Sequence, residues 1–196
     1  MGLGQTLLTI MALMLMGRLI LNSNTLTLDT GMMKDLAEYR IAGTSFGTSR
    51  LEKIEGKRFD ESSVDSIEVY TTSELSTYAN FGPGRDAGES STNEATWDDV
   101  DDYHTVAHYD TINWIPYKDS VIVEYDTLYY NAGPPVVAEV RKTTNKSFTK
   151  RIIVRVTGPY LIDYTSLIDA DGDGEVDDPK PDTLRFERII GYWYMR

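Results

Sequence analysis

The apolar signal at the start of the chain is nearly unbroken. From Leu3 to Leu21 only Gln5, Thr6, Thr9 and Arg18 interrupt it, and Leu7, Leu8, Ile10, Met11, Leu13, Met14, Leu15, Met16, Leu19, Ile20 and Leu21 cover every face of a helix. A helix that is apolar all round wants lipid or protein on all sides. At 1.5 Å per residue this run spans about 28 Å, close to the thickness of a bilayer core. Arg18 lies near enough to its end to snorkel toward water. No Lys or Arg precedes the run and no small-x-small site follows it in Asn22-Ser23-Asn24-Thr25, so cleavage after it as a signal peptide is not expected.

The helical pattern then changes character. No proline occurs between Leu3 and Phe59, and Met32, Leu36, Tyr39, Phe46, Leu51 and Ile54 recur at three- to four-residue spacing, with Gly43 and Gly47 on or beside that stripe. The apolar helix is therefore expected to continue as an amphipathic one, roughly 80 Å in all if unbroken. The Asn- and Thr-rich stretch Asn22–Thr30, with Gly31 beside it, is the expected place for an unwound or kinked stretch.

After Gly56 the period becomes two. Ser66–Thr72, Ser120–Tyr130, Val136–Thr143, Lys150–Thr157 and Thr183–Trp193 are rich in β-branched and aromatic residues and predict strands. Asn131–Pro135 and Thr143–Lys146 supply turns, so an antiparallel meander is the economical topology. The polar, Gly- and Ser-rich segment at about 78–119 predicts a long surface loop. The expected fold class is α+β: residues 1–30 an apolar transmembrane or filament-core helix, 31–60 its amphipathic continuation, and 61–196 a globular sheet domain.

Composition narrows the partners. With 31 acidic against 19 basic residues the formal charge is −12, which repels phosphate backbones and argues against nucleic acid. The absence of cysteine excludes a disulfide framework and a thiol nucleophile. No Gly-x-Ser-x-Gly turn, phosphate loop or His-Glu-x-x-His helix occurs, so neither an enzyme nor a small-molecule substrate is expected. Asn145-Lys146-Ser147 is a formal glycosylation sequon in an expected turn.

The sharpest chemical motif is Asp169-Ala170-Asp171-Gly172-Asp173-Gly174-Glu175-Val176-Asp177. Alternate carboxylates of Asp169, Asp171 and Asp173 with glycine at the sixth place can wrap Ca²⁺, Glu175 giving a backbone carbonyl and Asp177 acting directly or through water. Lys180 stands where an EF-hand has its bidentate glutamate, which leaves Asp178 or Asp182 as substitutes. The bland alternative is a solvated acidic turn. Asp98, Asp99, Asp101 and Asp102 could form a second cation site, but the preferred reading is a turn that buries Trp97 and Tyr103 and leaves the carboxylates wet. His104 and His108 have i,i+4 spacing but no third ligand, and a zinc pair is not expected.

One long helix, apolar and then amphipathic, followed by an antiparallel sheet, resembles the layout of type IV pilins and pseudopilins. The strings AEYRIAGTSFGTSRLEKIEGKRFDE at 37–61 and SFTKRIIVRVT at 147–157 are similar to the helix end and central strand of pilin-like proteins. TWDDVDDYH at 96–104 resembles a segment of mannose-sensitive-haemagglutinin-type pilin-like proteins, with Trp97 in place of Phe. The N-terminus departs from the pattern: Gly4 is the one candidate processing site, and Thr9 stands where the family's glutamate would be. The resemblance implies a structural subunit of an extracellular filament, held in the inner membrane before assembly and polymerising with copies of itself into a helical homopolymer. Leu7, Leu8, Ile10, Met11, Leu13, Met14, Leu15, Arg18 and Leu19 would form the filament core. A minor pilin or secretion pseudopilin, or a membrane-anchored extracytoplasmic calcium-binding domain, are the alternatives.

Overall fold

The computed structural model describes residues 2–65, 68–130, 138–163 and 181–192. The chain divides into two compact units, Met1–Ile41 and Ala42–Arg196. A single helix, α1 (Leu3–Glu55), accounts for all the regular structure of the first unit and opens the second.

In the first unit the helix runs through Asn22–Thr30 without unwinding. The physical reason lies in the hydroxyls. Thr25 Oγ1 donates to the carbonyls of Leu21 (3.0 Å) and Asn22 (3.1 Å), Thr27 to Ser23 (2.8 Å) and Thr30 to Leu26 (2.7 Å), so these hydroxyls are satisfied within the helix and do not cap or compete with its backbone ladder. Met32, placed on the amphipathic stripe by its spacing, is exposed, while Leu36 and Tyr39 are half-buried.

In the second unit the same helix is amphipathic in the strict sense. Gly43, Phe46, Gly47, Arg50, Leu51 and Ile54 are buried, an i, i+3, i+4, i+7, i+8, i+11 series that lines one face. This face packs on a five-stranded antiparallel sheet. The strands are β1 (Ala107–Ile112), β2 (Ile115–Tyr130), β3 (Ala138–Thr143), β4 (Thr149–Thr157) and β5 (Leu184–Gly191). Gly47 is where the two layers come closest: a Cβ there would overlap the Phe186 ring and lie 2.9 Å from Val156 Cγ2.

The sheet is not a simple meander. β2 is sixteen residues long and serves three partners: β1 along Ile115–Ser120, β4 along Lys118–Tyr125 and β3 along Tyr125–Tyr130. β4 therefore returns to β2 rather than pairing with β3, and β5 adds to β4. Period-two alternation puts Tyr117, Asp119, Val121, Val123 and Tyr125 of β2 on the core face, in register with Val156, Val154, Ile152 and Lys150 of β4.

Two expectations about strands need correction. The described part of Ser66–Thr72 forms no strand: Val69 is buried, but its N–H donates to the Tyr192 hydroxyl (3.0 Å) and a 3₁₀ turn begins at Thr72. Conversely, the loop expected to reach residue 119 stops earlier, because β1 and the start of β2 form a hairpin around Asn113-Trp114. Both turn residues have positive φ, 50° and 69°, as a two-residue mirror-image turn demands. Tryptophan is an unusual choice there, and Pro116 inside β2 masks the strand signal. Pro116 is tolerated because pairing with β4 begins only at Lys118.

Two stability predictions follow from these close approaches. Gly47→Ala should lower the unfolding free energy by about 1–2 kcal/mol despite the helix propensity it gains, because overpacking costs more than that gain; Gly31→Ala, where a Cβ meets open space, should not. Trp114→Gly should raise stability by about 1 kcal/mol by relieving a left-handed conformation at an exposed hairpin tip. Denaturant titration of the full chain in detergent measures all three.

Candidate functional site

Two regions carry chemistry: the apolar part of α1 in the first unit, and a polar network inside the second. In the first, the large apolar side chains from Leu7 to Met33 are 53–72% exposed on every face. Leu7, Leu8, Ile10, Met11, Leu13, Met14, Leu15 and Leu19 all belong to this surface, and Arg18 lies on the same stretch. Thr9 Oγ1 donates to Gln5 O (2.7 Å), so its hydroxyl is satisfied within its own helix. The helix is long and apolar enough to cross a membrane by length and composition.

The polar network begins where α1 ends. Gly56 and Lys57 close the helix through bonds to Glu52 O and Ile54 O, and Arg58 then pairs with the 98–100 segment, its N–H donating to Asp98 O (3.2 Å) and its carbonyl accepting from Val100 N (2.9 Å). That short ladder brings Asp60 and the acidic run at 98–102 together under the sheet. Trp97 and Tyr103 are buried, as expected, but the expectation that the carboxylates stay wet is wrong: Asp99, Asp101 and Asp102 are buried too. Their partners explain why.

Asp101 faces Lys150, which β4 places on the core side of the sheet and which is 0% exposed. The ammonium donates to Asp101 Oδ1, to Asp60 Oδ2 (2.8 Å) and to Phe59 O (2.6 Å). Above it lie the rings of Phe59, Phe81 and Tyr125, with centroids 4.5, 5.0 and 5.2 Å from Nζ. Burial works to raise the Asp60 carboxyl, but Lys150 outweighs it, with help from hydrogen bonds to Ser62 and Ser76, and holds it at about 2. Asp101 goes the other way: burial, with the charges of Asp99 and Asp60, pushes it well above the usual range despite Lys150.

A second buried charge sits on the same face of β2. Asp119 is fully enclosed, and Arg50 of α1 reaches it (Nε to Oδ2, 3.6 Å) while also binding Glu94 and lying over the Tyr103 ring at 5.1 Å. Burial raises the Asp119 carboxyl, and Arg50 and His108 oppose that shift.

Asp99 and Asp102 point away from the lysine. Asp99 Oδ1 accepts from the N–H groups of Asp101 (2.7 Å) and Asp102 (3.2 Å), and Asp102 Oδ2 accepts from those of Asp98 (3.1 Å) and Asp99 (3.2 Å). Each carboxylate thus spends one oxygen on its own turn. The other oxygens, Asp99 Oδ2 and Asp102 Oδ1, are buried without a donor from the backbone or a basic side chain, as are both oxygens of Glu89, and Glu89 and Asp102 lie close enough to share a proton. Two overlapping groups form around them: Glu61, Asp86 and Asp99, and Asp86, Glu89 and Asp102, each with carboxylate oxygens within 4.8 Å of one another. Burial raises Asp99 to about 7, with the charge of Asp102 adding to it, and raises Asp102 to about 7, with Glu89 adding to it.

No family model, curated protein or solved structure matches this chain. The site is therefore read from its own geometry. The calcium loop expected from Asp169, Asp171, Asp173, Glu175 and Asp177 lies outside the described residues. His104 and His108 are not brought to a common ligand position: His104 Nδ1 accepts from Val123 N (3.1 Å) between the Tyr78 and Phe81 rings, whereas His108 lies beside Asp119. Sequence reasoning missed Glu61, Asp86, Glu89, Asp60 and Lys150. The single available signal was Lys150 itself, which stands at a core-facing position of an alternating strand.

Removing the ammonium tests the network. Lys150→Met should cost about 3–5 kcal/mol of stability, because it strands the Asp60 carboxylate in the interior, and adding Asp60→Asn should recover part of that loss. Chemical denaturation of the single and double variants reads both numbers.

Proposed function

We propose that this chain is the structural subunit of an extracellular, type IV pilus-like helical filament. It would wait in the inner membrane on its N-terminal helix and polymerise through that helix. The observation that supports this reading is the apolar surface from Leu7 to Leu21, exposed on every side of a helix whose later part is amphipathic. Such a surface is stable only in lipid or among copies of itself, and the exchange of one for the other preserves its burial. Hydroxyls returned to their own helix suit both surroundings, since neither offers water to satisfy them.

In a filament one face of the helix meets a different face of the next subunit, an association that does not close and so propagates. Arg18 would need an oxygen from an adjacent chain, a carbonyl or a carboxylate, because an unpaired charge in such a core is expensive. The acidic character of the chain would keep filaments soluble and apart. Leu128, Tyr129, Tyr130 and Val140 expose apolar area at the far end of β2 and on β3, which offers a neighbouring subunit a contact.

Immunogold electron microscopy of the sheared extracellular fraction should show label along the length of thin filaments. Label confined to tips would replace this reading with a minor pilin, and label confined to the membrane would replace it with an anchored extracytoplasmic domain. Leu13→Asp, in the middle of the apolar run, should cost about 3 kcal/mol of membrane insertion and abolish filaments, measured as the yield of pelleted polymer.

A further inference from the structure

We propose that Asp86, shared by the group it forms with Glu61 and Asp99 and the group it forms with Glu89 and Asp102, is the centre of a site for divalent cations of the calcium class. The donor set is all oxygen, which selects a hard cation over zinc or copper. Ligands at about 2.4 Å from a common centre lie at most about 4.8 Å apart, and both three-carboxylate groups meet that limit while sharing Asp86. Magnesium takes one or two carboxylates and keeps its waters, so groups of three carboxylates fit the larger ion, with its six to eight ligands, better.

The deciding observation is what the enclosed oxygens lack. Asp99 and Asp102 are 0% and 1% exposed, and one oxygen of each has no donor from the backbone or a basic side chain, although the partner oxygen has two. A buried carboxylate oxygen left without a donor is expensive, and a cation beside Asp99 Oδ2, in the group with Glu61 and Asp86, would remove that cost. Neither Asp99, Asp102 nor Glu89 makes an ion pair with a lysine or arginine within 4 Å among the described residues; the nearby Lys150 is taken by Asp60 and Asp101. The backbone bonds that hold Asp99 and Asp102 also fix which oxygen faces inward, so the site is built before the ion arrives.

The cation would join three separate stretches of chain. Glu61 begins α2 (Glu61–Asp65) just after the long helix, Asp86 and Glu89 lie in the loop below it, and Asp99 and Asp102 lie in the turn beneath the sheet. Gly84 permits this loop path: its φ is +69°, and a Cβ would come within 2.6 Å of Ser91 N. The cation therefore acts as a clasp on the loop of the second unit. This inference does not rest on the filament reading.

The test uses the full chain in detergent, stripped with chelator, and follows thermal unfolding with about 10 mM CaCl₂ or MgCl₂, well above the range expected of extracellular sites. Calcium should raise the melting temperature by about 5 °C or more, and magnesium by much less. In the double variant Asp86→Asn/Glu89→Gln, half-buried positions whose neutralisation removes repulsion, the chelated protein should melt at or above the wild-type temperature and the calcium shift should vanish. Asp171→Asn/Asp173→Asn, which disables the other acidic loop, should leave the shift in place. The proposal is overturned by the absence of a calcium shift in the wild type, by an equal shift with magnesium, or by a shift that survives Asp86→Asn/Glu89→Gln and disappears with Asp171→Asn/Asp173→Asn.

Discussion

The core face of the sheet carries two charges that it cannot satisfy itself, and the rest of the second unit is arranged around them. Asp119 on β2 and Lys150 on β4 occupy positions that alternation assigns to the interior. An apolar side chain there would accept any nearby helix position; a charge accepts only one that brings a partner of opposite sign. Arg50 from the helix answers Asp119, and Asp60 with Asp101 answers Lys150. Sliding α1 by one turn would take Arg50 from Asp119 and draw Asp60 from Lys150 together, so the two pairs fix one register where Leu51, Ile54 and Phe46 alone would permit several. Gly43 and Gly47 allow the approach that brings these groups into range, since side chains at those positions would hold the layers apart.

Enclosing the lysine with rings rather than with water changes how its acids behave. Three aromatic faces supply favourable electrostatics without donors of their own, so the ammonium's protons are left for oxygens. Asp60 receives donors from Ser62 and Ser76 besides Lys150 and stays ionised, whereas Asp101 has one oxygen on the lysine and the other unpartnered. One lysine thus meets one firmly charged acid and one that burial drives toward its neutral form, which brings the local charge near balance.

What could be read from the chain followed from period. The helix, the strands at 120–130, 150–157 and 183–193, and the burial of Trp97 and Tyr103 all come from spacing that survives any tertiary arrangement. What could not be read came from long-range partners. Thr25, Thr27 and Thr30 looked like helix breakers by propensity, and their hydroxyl bonds to the preceding turn made them neutral. The acidic run at 98–102 looked solvated because charges usually are, yet Arg58 draws it beneath the sheet. Its tight turn, near three residues per turn, sets Asp99 and Asp102 on one side and Asp101 on another, a division that a run of like letters does not display. Glu61, Asp86 and Glu89 lie 13 to 41 residues from Asp102 along the chain and could be joined to it only by the fold.

This separation of roles bears on how a subunit could change its surroundings without losing its shape. Residues 7–33 carry the apolar surface, and every buried charge pair described above lies beyond residue 42. If lipid around the first unit is exchanged for neighbouring helices, the apolar side chains keep a non-aqueous environment and their backbone bonds stay internal. The pairs that set the helix on the sheet are already closed inside the second unit, so their partners need not be rebuilt on assembly. Within the apolar run 3–21 the charge that such an exchange would have to accommodate is Arg18, which headgroups can satisfy in a membrane and a neighbouring chain would have to satisfy in a filament core. On the filament reading, Arg18 would make the two environments chemically distinct and would set the demand for specific contacts at one level of the apolar run.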